Sequence, residues 1–268
     1  MLIDTHCHLN FKAFKKDLKE VIGRAKAAAV EKIIIPGAKI DSSQRAVEIA
    51  SSYPQAYAAV GIHPHHAAEF AHHEKEALLQ LEKLAQNNKT VAIGEIGLDH
   101  YQYKNYPPIG EDLKAQQISL LKLQLNLAVE MKLPVILHCR QAHDVMLEFL
   151  ENYLKEKTLN GVFHCFDGSL SHLEKILSLG FYVGFDGNCT YPENSRLVQA
   201  FSQIPLKRLL IETDAPFLTP IPQQGNRNEP AFLVHTAQFM ASTLKIEADA
   251  FAGQTSENAA RLFNLSAK

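Results

Sequence analysis

Short apolar runs and longer amphipathic stretches alternate along almost the whole chain. β-rich runs lie at Leu2–Thr5, Lys32–Pro36, Ala56–Ile62, Thr90–Ile96, Pro134–His138, Gly161–Phe166, Phe181–Phe185 and Arg208–Thr213. Between them, helical periodicity marks Phe14–Ala29, Ser42–Ser52, Glu74–Asn87, Asp112–Met131, Ala142–Leu154, Leu170–Leu179, Asn194–Gln203 and Pro230–Leu244, and a further amphipathic segment, Ser256–Phe263, follows. Strands that alternate with helices pair in parallel through crossover connections, and eight such units close into an α/β (β/α)8 TIM barrel. Gly180 after the sixth helix and Pro230 in the first turn of the eighth agree with these boundaries. No boundary, low-complexity tract or repeat interrupts the pattern, so residues 1–268 read as a single domain.

The polar exceptions to this pattern are ordered. His6, His8, Glu95, His138, His164 and Asp214 each fall at the C-terminal end of an apolar run, where a parallel barrel builds its site. In Asp4-Thr5-His6-Cys7-His8 both imidazoles leave the same face of an extended strand, a good seed for a divalent ion. By the same alternation Cys7, Cys139 and Cys165 should face the surrounding helices as packing residues. Glu95, flanked by glycines and apolar neighbours, lies across the ring from the first strand, and its two oxygens suit two ions. Asp214 continues the register of Glu212, and Glu212, one layer deeper, fits a supporting role behind the ligands.

Composition narrows the setting. A chain of 268 residues with 46% hydrophobic content and a formal charge of −2 is an ordinary globular protein without a general basic footprint, so binding to nucleic acid would be local and transient. There is no run of eighteen apolar residues and no leader pattern before Leu2, and four cysteines without framework spacing fit a reducing, cytoplasmic setting. No membrane contact and no obligate protein partner are expected.

Asp4-Thr5-His6-Cys7-His8, Gly61-Ile62-His63-Pro64, Gly94-Glu95-Ile96-Gly97-Leu98-Asp99, Leu137-His138-Cys139-Arg140, His164-Cys165-Phe166 and Glu212-Thr213-Asp214-Ala215-Pro216 stand in this order along the chain, with Asn228-Glu229-Pro230 after them. Together they resemble the TatD family of metal-dependent deoxyribonucleases, part of the wider amidohydrolase-like hydrolases. The resemblance spans essentially the whole chain. It implies a TIM barrel with two or sometimes three metal ions, hydrolysing phosphodiesters, often from the 3′ end of DNA. It further implies that His6, His8, Glu95 and Asp214 hold one ion, with Glu95 shared and His138 and His164 completing the shell of the second. Two ions about 3.5–4 Å apart would polarise the phosphoryl oxygen and activate water, with Asp214 orienting that water. The family association points to magnesium or manganese, whereas imidazole-rich donors favour zinc, manganese or iron.

The remaining candidates carry two readings each. His63 fits a phosphate contact or proton donor, or a hydrogen-bonded histidine of its turn; His65 is a weaker candidate for substrate. Arg140 and Arg227 suit either a phosphate or a loop carboxylate. Tyr101, Tyr103 and Tyr106 beside Lys104 could stack on unpaired bases or pack their loop. Asp167-Gly168-Ser169 turns the chain and caps a helix, or faces a phosphate. His72, His73, His100, His143, His172 and His235 read as surface or structural residues. Competing functions are an amidohydrolase acting on an amide, lactone or phosphotriester, an aminoacyl-tRNA ester hydrolase, and a non-enzymatic metal- or nucleic-acid-binding barrel. The absence of a lysine near Glu95 disfavours the first, and the intact ligand set disfavours the last.

Overall fold

A computed structural model describes residues 1–71, 73–104 and 108–265. The strands are β1 (Leu2–Asp4), β2 (Val30–Pro36), β3 (Ala56–Val60), β4 (Thr90–Asp99), β5 (Val135–Arg140), β6 (Gly161–Phe163), β7 (Tyr182–Phe185) and β8 (Leu209–Ile211). They form one sheet in sequence order, and each neighbouring pair is parallel. Closure comes from the segments just beyond β1 and β8. Cys7 bridges Ala215, the Asp214 N–H donates to His6 O at 2.9 Å, and the His8 N–H donates to Ala215 O at 2.8 Å. The fold is a (β/α)8 barrel.

Around the sheet run α1 (Leu18–Ala27), α2 (Ile40–Ser52), α3 (Ala67–Phe70), α4 (Glu74–Ala85), α5 (Glu111–Met131), α6 (His143–Tyr153), α7 (Leu170–Ser178), α8 (Ser195–Phe201), α9 (Leu233–Leu244) and α10 (Ala248–Leu262). The larger apolar cluster fills the space between strands and helices; Phe14, Val21, Leu121, Leu147 and Phe201 belong to it. A second cluster joins alternate strand residues Ile3, Ile34, Ala92, Ile136, Val162 and Leu210 to Leu262 and Phe263, so the end of α10 packs against this inner layer. Side chains on a strand alternate, so a residue two positions beyond an inner-layer residue points to the same side. His138 follows Ile136 in this way, His164 follows Val162, and Glu212 follows Leu210. The apolar layer is therefore the floor on which the polar site rests.

Several elements differ from the expected pattern: α3 was not foreseen, β6 stops at Phe163, and β4 and α10 are longer than expected. β4 continues past Ile96 to Asp99, pairing Gly97, Leu98 and Asp99 with His138, Cys139 and Arg140 of β5. Gly97 permits this because a Cβ there would collide with the His138 carbonyl oxygen, and its φ is +149°. α10 begins at Ala248, well before Ser256, because its buried face uses Thr255, Ser256 and Asn258 among few large apolar residues. Ser169 caps α7 as expected, its hydroxyl accepting from the His172 N–H at 3.2 Å.

Candidate metal centre

The six expected ligands meet at the C-terminal mouth of the barrel, where a cavity of 680 Å³ opens. Glu95 is the hinge of the arrangement, because its two oxygens face two different groups of donors. Glu95 Oε2 lies 3.5 Å from His6 Nε2 and 3.7 Å from His8 Nε2. Asp214 Oδ1 joins this group at 3.6 Å from His6 Nε2 and 3.3 Å from His8 Nε2, and the two imidazole nitrogens are 3.2 Å apart. On the other side, Glu95 Oε1 lies 2.7 Å from His164 Nε2, 3.0 Å from His138 Nδ1 and 3.5 Å from His63 Nε2.

These spacings fit a metal. Donors about 2.1 Å from one common ion must stand about 3.0–3.4 Å from each other at octahedral or tetrahedral angles, close to the separations within the first group. The sets His6–His8–Asp214 and His63–Glu95–His138 each place ligand atoms within 4.8 Å of one another. The second set adds His63 to the expected donors, its Nε2 3.5 Å from Glu95 Oε1.

The electrostatics follow from burial and neighbours. Burial opposes ionisation of Glu95, but the imidazoles of His164, His63 and His6 and the hydrogen bond from His138 outweigh it and hold its carboxyl well below the usual range. Burial likewise opposes the charge on Asp214, and the His8 hydrogen bond keeps it ionised at lowered pKa. His63 is pushed down to about 3 by burial and by His138, so its ring is neutral near pH 7. Its Nδ1 accepts from the His65 N–H at 3.2 Å, which leaves the proton on Nε2, the nitrogen that faces Glu95. Glu212 is raised well above the usual carboxyl range by burial and by Asp186. It accepts from the Cys165 N–H at 2.6 Å and from the Thr5 hydroxyl at 3.1 Å, beneath the ligands. Gly184 makes room for it, since a Cβ there would stand 2.7 Å from both Glu212 oxygens.

Asp99 joins the site although the pattern alone did not single it out. Its Oδ2 is 2.8 Å from His65 Nε2 and 3.1 Å from His138 Nε2, and it accepts from the Tyr103 hydroxyl at 2.9 Å. With Asp99 on Nε2, His138 presents Nδ1 to the centre, as an orienting carboxylate does for a metal-bound imidazole. The signal in the sequence was the period of two from Glu95 through Gly97 to Asp99, hidden by ending the strand at Ile96.

The other candidates divide. Arg140 lies over the Tyr101 ring at 4.0 Å, donates to the Tyr103 hydroxyl at 3.1 Å and lines the cavity. His65 also lines it. Arg227 stays away from the cavity wall: its guanidinium grips Asp17 through two hydrogen bonds of 2.9 and 2.7 Å, the loop-carboxylate reading. Tyr101 and Tyr103 are taken up in the Arg140 stack, while Tyr106 and His72 lie outside the described residues. Cys7 is fully buried in the outer apolar cluster, as alternation requires, and Cys139 belongs to that cluster while also touching the cavity. Cys165 departs from its expected packing role. The strand has already ended at Phe163, Cys165 takes a φ of +46°, and it lines the cavity. Asp214 also lies beyond its strand, at a φ of +50°, so a turn and not strand register delivers it to the site. Asn228 holds that turn, donating to Thr213 O at 2.8 Å and Phe217 O at 2.6 Å, and Glu229 pairs with Arg24 at 2.7 Å. Arg196, unmarked in the sequence, reaches the same cavity.

Residues 3–264 match the model of the TatD related DNase family. The chain belongs to this family. A family relative from Erwinia tasmaniensis, named 3′-5′ ssDNA/RNA exonuclease TatD, is 38% identical over 270 residues, covering 98% of this chain and all of that protein. YabD of Bacillus subtilis, described as an uncharacterized metal-dependent hydrolase, is 38% identical over 265 residues, covering 99% of this chain and all of its own length. The crystal structure of YJJV, a TatD homologue from Escherichia coli K12, superposes with a TM-score of 0.87 at 35% identity, covering 99% of this chain and 98% of that one.

Proposed function

We propose that this protein is a divalent-metal-dependent phosphodiesterase that removes nucleotides from the 3′ end of single-stranded nucleic acid, DNA first among them. The observation that carries this reading is the split orientation of Glu95, whose two oxygens serve two donor groups in one open mouth. His6, His8, Glu95 and Asp214 would hold one ion, and Glu95, His138 and His164 the other. Divalent ions held by these residues would supply Lewis-acid charge to the phosphoryl and leaving oxygens and would make a bound water more acidic. The imidazole-rich donors admit zinc as well as manganese, and magnesium serves as a weaker, exchangeable occupant.

The chain's own groups do the rest. Asp214 is ionised and faces the cavity, so it orients the attacking water and accepts its proton. His63 presents Nε2–H, a neutral donor to the phosphate or the leaving oxygen. Arg140, held flat by Tyr101 and Tyr103, offers its fork to a non-bridging phosphate oxygen. A cavity of 680 Å³ has room for a terminal nucleotide and its phosphate.

The test is a gel time course on a 5′-labelled single-stranded DNA, with metal-stripped protein resupplied with magnesium, manganese or zinc. Stepwise shortening from the 3′ end, dependent on metal and lost in Asp214→Asn, is expected. Folded, metal-loaded protein that cuts no strand would overturn the proposal and turn attention to aminoacyl-ester and amide substrates.

A further inference from the structure

A second groove, of 580 Å³, leads outward between the loops that follow β1, β2 and β8. Phe11 and Phe217 line both this groove and the metal-side cavity, so the two hollows adjoin at these rings. Phe11 lies against the His8 ring, with centroids 4.4 Å apart and planes 23° from parallel. Phe217 stands edge-on to Phe11 at 6.1 Å and keeps 52% of its surface exposed. With Phe11 beside it, the open ring of Phe217 gives the mouth an aromatic face on which a planar group can stack. Around the two rings the groove carries Lys12, Lys39 and Arg45 against one carboxylate, Asp41. Lys39 stands 3.6 Å from Asp41, and Arg45 stands 3.1 Å from Glu48, in exposed pairs. Such pairs contribute little and exchange readily for another anion.

Aromatic faces interleaved with exchangeable cations bind single strands, because every base has a face to stack and every nucleotide a phosphate to pair. A duplex keeps its bases stacked on each other and offers none to Phe217. On its opposite side the cavity is walled by the stacked Tyr103 and Arg140.

We infer that this groove seats the strand on the 5′ side of the scissile phosphate, with a base stacked on Phe217 and backbone phosphates against Lys12, Lys39 and Arg45. The inference rests on the proposed function, in which the 3′-terminal nucleotide occupies the metal-side cavity. It makes Phe217 a determinant of strand length and of single-strand preference. A substrate that ends inside the cavity gains nothing from the groove.

The experiment measures fluorescence anisotropy of a 5′-labelled ten-nucleotide thymidine strand and of a dinucleotide. The full chain is used both metal-stripped and, by rapid mixing, manganese-loaded. Phe217→Ala raises the Kd for the decamer about tenfold, the scale of one base stack, and Phe217→Trp restores it. The double variant Lys39→Ala/Arg45→Ala flattens the dependence of log Kd on log salt by about 0.7 for each phosphate that no longer meets a cation. The dinucleotide is affected less by either change. Decamer binding that is unchanged in Phe217→Ala, or weakened equally for both lengths, overturns the groove assignment, as does a wild-type protein that binds no decamer. Wild type that binds the decamer through Phe217 but never cuts it with any metal overturns the proposed hydrolysis and leaves the groove standing. Melting temperatures of the variants close to wild type exclude misfolding as the cause.

Discussion

Asp99 gathers His65, His138 and Tyr103 on one carboxylate oxygen, and the orientation of a metal-side imidazole depends on that oxygen staying charged. Burial resists the charge, but the bonds from His138 and His65 prevail and hold its carboxyl far below the ordinary range. Asp99→Asn removes the charge while keeping the shape. Manganese affinity measured by calorimetry should fall about 10–100-fold, the usual effect of losing the partner behind a ligand. Affinity equal to wild type would show that His138 holds its orientation unaided. Asp214→Asn acts differently: turnover should fall about 10²–10⁴-fold, the range for a missing proton-transfer group, with the fold intact. Near-normal turnover would remove Asp214 from the mechanism. At this scale the sequence was most readable where a polar residue interrupted an apolar run, as at His6, Glu95 and His138. It was least readable where backbone conformation overrides strand alternation. Cys165 and Asp214 sit at positive φ, which the residue pattern does not reveal.

The β4–β5 pair decides whether the donors meet. The close approach at Gly97 lets Glu95 and Asp99 face His138 from one strand. Gly97→Ala would place a methyl on the His138 backbone at a φ that side chains disfavour. We expect a loss of at least about 2 kcal/mol in denaturant unfolding, from overpacking and strain together, accompanied by weakened metal binding. Unchanged stability would mean that the two strands can separate without cost. Element positions were legible from periodicity, since each of the eight apolar runs became a strand. Ends were not. The expected strand ended at Ile96, whereas close pairing at Gly97 carries β4 on to Asp99, and the small polar face of α10 left little apolar period to read.

For the molecule as a whole, the buried titratable groups of the mouth set a pH window. A group whose folded pKa is raised stabilises the fold fully below its unfolded pKa, and this stabilisation is lost as pH rises through the folded value. His138 is such a group: burial disfavours its charge, but the bonds to Asp99 and Glu95 outweigh burial and push it up to about 9. Glu212, raised by burial, acts in the same direction. His6, lowered to about 4 by burial and by His164, has the opposite sign, and its effect is complete once pH exceeds the unfolded histidine value of about 6.5. Metal-stripped protein should therefore melt at progressively lower temperature from pH 7 to pH 9, less steeply in His138→Gln. A melting temperature that is flat or rising over that range would contradict the charge assignment. Saturating manganese should raise the melting temperature, because the ion binds the folded site and no equivalent site exists in the unfolded chain.

The most direct measurement is the turnover of a 5′-labelled single strand as manganese is added to metal-stripped wild type and to Glu95→Ala. The split carboxylate predicts that 3′-end shortening appears in wild type as the donor groups fill and is abolished in Glu95→Ala at every manganese level. Shortening that proceeds at the wild-type rate in Glu95→Ala, or in wild type under chelator, would contradict a mechanism centred on Glu95.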